Sequence, residues 1–381
     1  MLPKPESAYF VIADISGYTS FLAGVELDHA QDIIADLMDT VVKGVRPPFR
    51  LAKFEGDAAF VYAVTAKVDG SMLQDTIESA YFTFRRRLRD IKQASACECK
   101  ACAAMGDLDF KFVVHHGEMV KQKMGGREEL AGRDVILVHR LLKNTVSGKV
   151  GSRAYALYSD ACIQAAGIDP GAQGLVEHHE TIDIIGDVRL WVRDLEEAWK
   201  KENEKTRVEV TREDAYGIFD FDIAAPRQVV WEYLTVPGQF QKWWPTDEVI
   251  ENSGNGRRGV GTKNHCMHGK DAIIEEMLDW RPFDYITVSA LLPIPGAPKL
   301  VMTRAVQEQA NGATRLEMRL AKPKPKDMAF VDQFAPTFRG NLTKAIETLR
   351  RILEEQQTSV AVIDEPPLKP SNERFLTEPI K

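Results

Sequence analysis

The sequence predicts an α+β protein with two domains, and three observations support this. The chain has 381 residues, enough for two separate hydrophobic cores. Strand-like and helix-like periodicities alternate over residues 5–195, followed by a charged linker at residues 196–214. A second series of strands over residues 215–356 ends in a long helical stripe, and the proline-containing residues 357–381 predict a flexible tail.

The composition is that of an ordinary soluble protein, and it narrows the range of partners. Hydrophobic residues make up 44% and charged residues 28% of the chain. The formal net charge of −7 argues against a nucleic-acid-binding surface. Because no apolar run approaches the roughly 18 residues of a membrane span, and no signal-peptide core is evident, we expect a cytoplasmic location without membrane contact.

Two short stretches near the start carry the chemistry expected of the first domain. Residues 9–13 form an apolar, strand-like run that ends at Asp14. Residues 49–54 and 58–64 predict two strands joined by a tight hairpin that contains Asp57. Two carboxylates on neighbouring strand ends could hold a pair of divalent ions, as phosphoryl or nucleotidyl transfer requires.

Further elements of this domain follow from periodicity and from turn residues. Helices are expected at residues 29–45, 71–92 and 132–141, with Asp134 as a plausible N-cap. Strands are expected at residues 108–114 and 155–160, and a closing hairpin at residues 181–195 has its turn at Gly186-Asp187.

Three of the five cysteines are clustered, as Cys97, Cys99 and Cys102. An odd number of cysteines with this clustering argues against a disulfide framework. The three thiols could bind one Zn²⁺ if a fourth ligand, a histidine or another cysteine, came from elsewhere in the fold. The alternatives are a loop of reduced thiols without metal and a redox role.

The motifs of the first domain resemble those of a known family. Asp14-Ile-Ser-Gly-Tyr-Thr19, followed by Lys53-Phe-Glu-Gly-Asp57, is similar to the catalytic domain of class III nucleotidyl (adenylate and guanylate) cyclases. Gly132-Arg-Asp-Val-Ile136-Leu-Val-His-Arg140-Leu141 is similar to a helix of the same family. His115-His116-Gly117-Glu118 is similar to a turn of that family, and the resemblance implies a structural role for it. The resemblance covers residues 5–195 and implies a ferredoxin-like βαββαβ domain, a head-to-tail homodimer and ATP or another nucleotide as the substrate.

The resemblance also implies a role for each matching residue. Two ions, Mg²⁺ or Mn²⁺, would be held by Asp14, Asp57 and the backbone carbonyl of Ile15. Lys53 matches the lysine that selects adenine, and Glu129 matches the residue that accepts a hydrogen bond from the adenine amino group. Arg140 matches the arginine that stabilises charge in the transition state, a role that suits its planar fork of donors.

Two positions depart from the family pattern. Ile136 stands where an asparagine is expected to position the ribose, and isoleucine offers no hydrogen bond. Asp183 and Ile185 stand near the place of a triphosphate-binding lysine, with Arg189 nearby. Since losing one positioned donor costs about 10²- to 10³-fold in rate in other enzymes, the departures leave open a domain that binds nucleotide without turnover.

The second series of elements resembles another family. A strand at residues 216–223, a helix from Pro226, an aromatic segment, several strands and a long final helix are similar to the helix-grip fold of START-like (SRPBCC) domains. This fold wraps a curved antiparallel sheet round the last helix and implies an apolar small molecule as ligand. Trp231, Trp243, Trp244 and Phe338 would line either a pocket or a filled core.

Two functions follow from these resemblances, and a metal- or redox-responsive regulator built on the three-cysteine cluster is a third. In the first, an adenylate cyclase using two metal ions is regulated by a small molecule bound in the second domain. In the second, a catalytically degenerate cyclase-like domain serves as a dimerisation or nucleotide-sensing module, fused to the same ligand-binding domain and with a structural zinc as a further alternative.

Overall fold

The structure is a computed structural model that describes residues 4–25, 27–65, 68–94 and 99–360. The α+β prediction is confirmed, because the chain forms two sheets, each with its own helices, and ends in a long helix. Cys97 and the tail beyond residue 360 lie outside the described residues. Within the described residues, no helix has the length and apolar character needed to cross a membrane.

The first sheet and its helices follow the order expected from the sequence. The strands are β1 (Glu6–Ser16), β2 (Arg50–Glu55), β3 (Ala58–Val64), β4 (Asp109–Met124), β5 (Arg127–Ala131), β6 (Tyr155–Ser159), β7 (Val176–Ile182) and β8 (Gly186–Asp194). The helices are α1 (Tyr18–Gly24), α2 (Leu27–Val45), α3 (Gly70–Ala94), α4 (Lys100–Ala104), α5 (Arg133–Arg140), α6 (Val146–Val150) and α7 (Asp160–Ala166).

The sheet has the strand order β2-β3-β1-β4-β6-β8-β7, and β5 pairs with the outer part of β4. β1 is antiparallel to both β3 and β4, while β4 and β6 are parallel. The segment from β1 to β4, with α2 and α3 as its two helical connections, is the predicted βαββαβ arrangement with its central strand buried on both faces.

The two faces of β1 explain why its sequence is apolar without alternation. Tyr9, Val11 and Ala13 face the core shared with α2 and α3. Phe10 and Ile12 face a second core that includes α5. A strand covered on both faces has a continuous hydrophobic sequence. Asp14 follows this sequence and lies at the edge of the core.

Two local expectations were wrong. His115-His116-Gly117-Glu118 is not a turn but continues β4, which is 16 residues long. Asp134 is not the N-cap of α5; Gly132 holds that position, and Asp134 Oδ2 accepts a hydrogen bond from the Glu118 amide at 2.7 Å. The cap fails because the Asp134 side chain bridges to a neighbouring strand rather than to its own helix.

The charged segment after β8 contains a helix and then extended chain. Helix α8 (Leu195–Glu204) begins at Asp194, whose side chain accepts from the Glu197 amide. Beyond it, the Val208 amide donates to Asp279 at 2.8 Å and the Val210 amide to Thr303 at 2.8 Å. This segment is therefore attached to the second sheet by its backbone.

The second sheet is antiparallel throughout, in the order β10-β11-β12-β13-β14-β15-β9. Its strands are β9 (Ala215–Ile223), β10 (Glu248–Asn252), β11 (Lys263–His268), β12 (Asp271–Arg281), β13 (Tyr285–Leu291), β14 (Leu300–Glu308) and β15 (Thr314–Ala321). Its helices are α9 (Arg227–Thr235), α10 (Pro237–Phe240) and α11 (Met328–Val360). The last helix packs its apolar stripe, including Leu342, Ile346 and Leu349, into the sheet.

Charged side chains join the two sheets through helix α3. Arg257, in the loop after β10, donates to Asp75 at 2.9 Å and to Glu78 at 2.8 Å. Trp280 Nε1 donates to the other oxygen of Asp75 at 3.1 Å. Because Asp75 and Glu78 are both buried, this contact is part of the folded interior rather than a surface ion pair.

Candidate functional site

Asp14 and Asp57 lie side by side at one edge of the first sheet. Asp14 is near the end of β1, where it pairs with Ala58 of β3, the residue that follows Asp57. Asp57 lies in the two-residue hairpin turn with Gly56, whose φ of 67° suits glycine. The Ile15 amide donates to the Asp57 carbonyl at 3.2 Å, which fixes the two chain segments against each other.

Burial and repulsion by the neighbouring carboxylate disfavour the charged form of Asp57. Burial raises the pKa of Asp57 above its ordinary value, and the Asp14 carboxylate raises it further. Lys111 partly opposes this rise in the Asp57 pKa. Two neighbouring carboxylates with incomplete neutralisation favour the binding of another cation.

Lys111 is a site residue that the sequence analysis missed. It lies on β4 directly opposite Asp14, and its Nζ is 3.0 Å from Asp14 Oδ2. The side chains of Lys111 and Asp14 are only 21% and 15% exposed, so solvent screens this ion pair weakly. The register of β1 against β4, which brings the two residues together, could have indicated the pair once both strands were assigned.

Lys53 and Glu129 come together as the resemblance implied. Their Nζ and Oε2 atoms are 3.4 Å apart, although 76 residues separate them along the chain. The outer part of β4 with β5 forms an arm that carries Glu129 to β2. A donor and an acceptor thus lie next to each other, as recognition of adenine by N1 and the amino group would require.

Two residues that the sequence analysis missed complete this second group. Glu55 is 3.0 Å from Lys53 Nζ and 3.1 Å from His139 Nε2. The hydrogen bond to Glu55 is the main reason why the pKa of Lys53 lies above its ordinary value. His139 is held in place by Nδ1, 2.6 Å from the Val135 carbonyl.

Arg140 and Ile136 lie on the solvent-facing side of α5. The Ile136 side chain is 55% exposed. Arg140 is exposed and its Nη1 lies 3.5 Å from the Asp183 carbonyl, at the tip of the β7–β8 hairpin. Ile184 at this tip is 98% exposed.

Arg189 does not take the place of the missing lysine. Its Nε donates to Asp160 at 3.0 Å, and its guanidinium stacks over Trp191 at 5.2 Å. The side chain is thereby fixed on β8, against the start of α7. The hairpin tip itself presents Asp183 and Ile184, neither of which suits a triphosphate.

The structure leaves the zinc hypothesis as a prediction. Cys99 is the N-cap of α4, and its sulfur accepts from the Cys102 amide at 3.4 Å. Among the residues that the structure describes, no group of three or more histidine, cysteine or acidic side chains is arranged to hold a metal ion. Cys97, the third thiol of the cluster, is outside those residues.

The aromatic residues predicted for the second domain divide into two pairs. Trp231 and Trp243 are 0% and 3% exposed and pack in the core, so they do not form a pocket. Trp244 and Phe338 line a cavity of about 170 Å³ between the sheet and α11. Burial in a continuous aromatic cluster with Trp280 and Phe283 explains why Trp231 is a core residue.

Two family descriptions match separate parts of the chain. Residues 205–354 match the family described as "Polyketide cyclase / dehydrase and lipid transport", which confirms the recognition of a START-like domain. Residues 34–150 match a family described as "Protein of unknown function (DUF2652)". The chain is also 42% identical over 113 residues to the uncharacterized protein Rv2561/Rv2562 of Mycobacterium tuberculosis, covering 30% of this chain and 52% of that relative. The chain thus spans about half the length of this relative.

Solved structures with similar chains include two cyclases. The guanylyl cyclase Cya2 is 15% identical with a TM-score of 0.37, covering 50% of this chain and 93% of its own. The adenylyl cyclase CyaB from P. aeruginosa is 16% identical with a TM-score of 0.36, covering 51% and 99%. Protein MLL2253 from Mesorhizobium loti is 17% identical with a TM-score of 0.31, covering 36% and 96%.

Proposed function

We propose that this protein is a nucleotidyl cyclase that converts ATP to cyclic AMP and pyrophosphate, regulated by a small molecule bound in its second domain. The observation that carries the proposal is the adjacent pair Asp14 and Asp57. The two carboxylates are partly buried at the end of β1, and Lys111 only partly neutralises their negative charge. Lys53 and Glu129 supply a second, independent group that is complementary to adenine.

The donor set at the carboxylate pair fits two divalent cations. Mg²⁺ is typically held by one or two carboxylates together with substrate phosphates, rather than by a complete protein cage. Asp14, Asp57 and the carbonyl of Ile15 match that pattern, because they are hard oxygen donors and too few to hold an ion alone. When bound, such ions supply a lowered pKa for the 3′-hydroxyl and neutralise charge on the phosphates.

The remaining residues would bind and orient the nucleotide. Lys53 would donate to adenine N1, and Glu129 would accept from the exocyclic amino group. Arg140, exposed at the end of α5, would donate to the phosphate oxygens as their charge develops. Each site would form in a head-to-tail homodimer, with Asp14 and Asp57 from one copy and Arg140 from the other.

Three exposed apolar side chains of the first domain are available to a second copy. Phe54 on β2, Ile136 on α5 and Ile184 in the β7–β8 turn are 50%, 55% and 98% exposed, and a partner that covered them would remove apolar surface from water. Ile184 also has a φ of 73°, a conformation that is costly for a β-branched residue. Burial against a second copy would offset this local strain.

Direct measurement of cyclic-nucleotide formation tests the enzymatic proposal. Purified protein is incubated with ATP or GTP and Mn²⁺, and cyclic nucleotide is quantified for the wild type, Asp57→Asn and the control Asp90→Asn. We expect cyclic AMP from ATP, with a loss of at least about 10²-fold in Asp57→Asn because a carboxylate ligand of the cations that stabilise the reacting phosphates is removed. Asp90 is an exposed helix residue, so its variant should match the wild type. Equal product from wild type and Asp57→Asn would refute the proposal.

A second candidate is a degenerate domain that binds nucleotide without cyclising it. The exposed Ile136 favours it, since this side chain offers no hydrogen bond to a ribose at the position four residues before Arg140. ATP binding measured by calorimetry, together with no cyclic product from the wild type, would support this candidate. Ile136→Asn separates the two, because restored cyclisation in that variant would identify the missing donor as the defect.

A further inference from the structure

The cavity of the second domain is lined mainly by apolar side chains, with an ion pair on the sheet and polar Thr337 and Asn341 on α11. It has a volume of about 170 Å³ and lies between the inner face of the sheet and α11. Val288, Leu300 and Met302 contribute from the sheet, and Phe334 and Phe338 from the helix. A cavity of about 150 Å³ in another protein accepts benzene, so this one accommodates a molecule with a single substituted ring.

The ion pair joins Glu275 on β12 to Arg304 on β14. Both side chains line the cavity, and they are only 10% and 8% exposed. Arg304 Nη2 donates to Glu275 Oε1, and the guanidinium also lies 5.7 Å from the centre of the Phe240 ring. These contacts hold the pair in a fixed orientation on the inner face of the sheet.

The pair retains hydrogen-bonding capacity that a ligand could use. A guanidinium has five N–H donors and a carboxylate has about four acceptor positions, so one mutual hydrogen bond satisfies a small part of either. A second polar atom lies beside the same space: His268 Nε2 is buried, lines the cavity and has no hydrogen-bond partner within the described part of the chain. A bound ligand would supply the missing hydrogen-bond partners of these buried polar atoms.

The charges of the pair select the type of ligand head group. An anion would be attracted to Arg304 but repelled by Glu275, and a cation would meet the reverse. A neutral hydroxyl can donate to the carboxylate and accept from the guanidinium at the same time. We propose that the second domain binds a neutral, hydroxyl-bearing aromatic or alicyclic molecule, with its ring in the apolar part of the cavity and its hydroxyl between Glu275 and Arg304. This proposal rests on the ligand-binding role given to the second domain above.

Three probes that share one ring test the head group. 4-Methylphenol, p-xylene and 4-methylbenzoate are titrated into the full chain at pH 7, and dissociation constants are measured by calorimetry or by ligand-detected NMR. The phenol is neutral at this pH because its pKa is near 10. We expect it to bind at least about tenfold more tightly than either of the other two, the equivalent of one net hydrogen bond.

Paired variants test whether Glu275 and Arg304 cause the preference for a hydroxyl-bearing ligand. In Glu275→Leu/Arg304→Met both charges are replaced together, a change that is often neutral for stability when neither partner is left alone. This variant should bind p-xylene as tightly as 4-methylphenol or more so. Val288→Ala, which enlarges the apolar part of the cavity, is the matched control and should change the affinities for all three probes in the same direction.

The outcomes separate this inference from the wider proposal. Equal affinities for the three wild-type complexes, or a preference for p-xylene or 4-methylbenzoate, would overturn the head-group assignment while leaving a ligand-binding domain in place. Absence of binding by every probe would overturn the assignment together with the small-molecule role. The cyclase assay does not depend on these titrations, so the enzymatic proposal stands or falls separately.

Discussion

Acidic side chains meet at two places around the first sheet, and they are neutralised very differently. At the interface between the sheets, Asp75 and Glu78 share the guanidinium of Arg257, and Arg193 Nε adds a hydrogen bond to Glu78 at 2.9 Å. At the edge of the first sheet, Asp14 and Asp57 have Lys111 beside Asp14. The first group is a completed network, and the second retains negative charge.

The pKa values of Glu78 and Asp57 shift in opposite directions, although burial raises the pKa of Asp75 even with Arg257 beside it. Burial alone would raise the pKa of Glu78, but Arg257 and Arg193 outweigh it and lower the value to about 2. For Asp57, burial and the Asp14 carboxylate raise the pKa, and Lys111 only partly opposes the rise. A charged network that is complete stabilises the fold, whereas an incomplete one favours an added cation.

Breaking the complete network should produce the largest effect on stability. Arg257→Met leaves both Asp75 and Glu78 buried without this partner, and removing one member of a buried ion pair costs about 3–5 kcal/mol. We expect a decrease of this size in the free energy of unfolding, measured by urea denaturation. Lys201→Met, which breaks the exposed pair with Glu197, should change it by less than about 0.5 kcal/mol. An equally small change in Arg257→Met would contradict the structural role of the interface.

The pH dependence of the interface sharpens the comparison. The folded-state pKa of Glu78, about 2, lies below its ordinary value of 4.5, so its contribution is present above pH 4.5 and is lost as the pH falls towards 2. The stability difference between the wild type and Glu78→Gln should therefore shrink by about 3 kcal/mol over this range. Urea unfolding at pH 6, 4 and 3 measures the part of this change that falls above pH 3, about 2 kcal/mol. A difference that does not depend on pH would mean that the charge of Glu78 does not contribute.

Removing a carboxylate from the incomplete group should have the opposite sign and a smaller size. The pKa of Asp57 is raised in the folded state, so the charged form costs stability once the pH exceeds that pKa. Without added cations at pH 7, Asp57→Asn should stabilise the protein by up to about 1 kcal/mol, the partial exposure of this site limiting the gain. Thermal unfolding in EDTA measures the change.

Lys111→Met provides the matched comparison for that prediction. It removes the positive charge next to Asp14. The cation-free protein should be destabilised, because the repulsion between the Asp14 and Asp57 carboxylates is then no longer offset by Lys111. Destabilisation by Asp57→Asn of the same sign as by Lys111→Met would show that repulsion between the carboxylates is not the dominant cost.

Much of the fold could be predicted because its elements have strong hydrophobic periodicity. The stripe of α2, the apolar runs of β1 and β3, and the long final helix each carry a pattern of one structural type. β10, a five-residue edge strand, was missed because Glu248, Glu251 and Asn252 make its sequence too polar to read as a strand. The turn expected at residues 115–118 was replaced by β4 because pairing with β1 continues through it.

The candidate site could be predicted only as far as local motifs reach. Asp14, Asp57 and Lys53 lie in short motifs and were found, whereas Lys111 becomes a site residue through its contact with Asp14 on the neighbouring strand, and His139 through its contact with Glu55 on β2. The interface arginine, Arg257, pairs with residues that are 179 and 182 positions away in the chain, and no local pattern reveals such a partner. Trp231 and Trp244 are both tryptophans, and only their packing in the fold shows that Trp231 lies in the core and Trp244 lines the cavity.

The account depends most directly on cation binding by Asp14 and Asp57. Mn²⁺ is titrated into the protein with α,β-methylene-ATP, an analogue that cannot release pyrophosphate, and bound Mn²⁺ is followed by electron paramagnetic resonance. We predict Mn²⁺ bound by the wild type and by Asp90→Asn, with an affinity at least about tenfold lower in Asp57→Asn because a carboxylate ligand is lost. Equal Mn²⁺ affinity in the wild type and Asp57→Asn would contradict a cation site at this sheet edge.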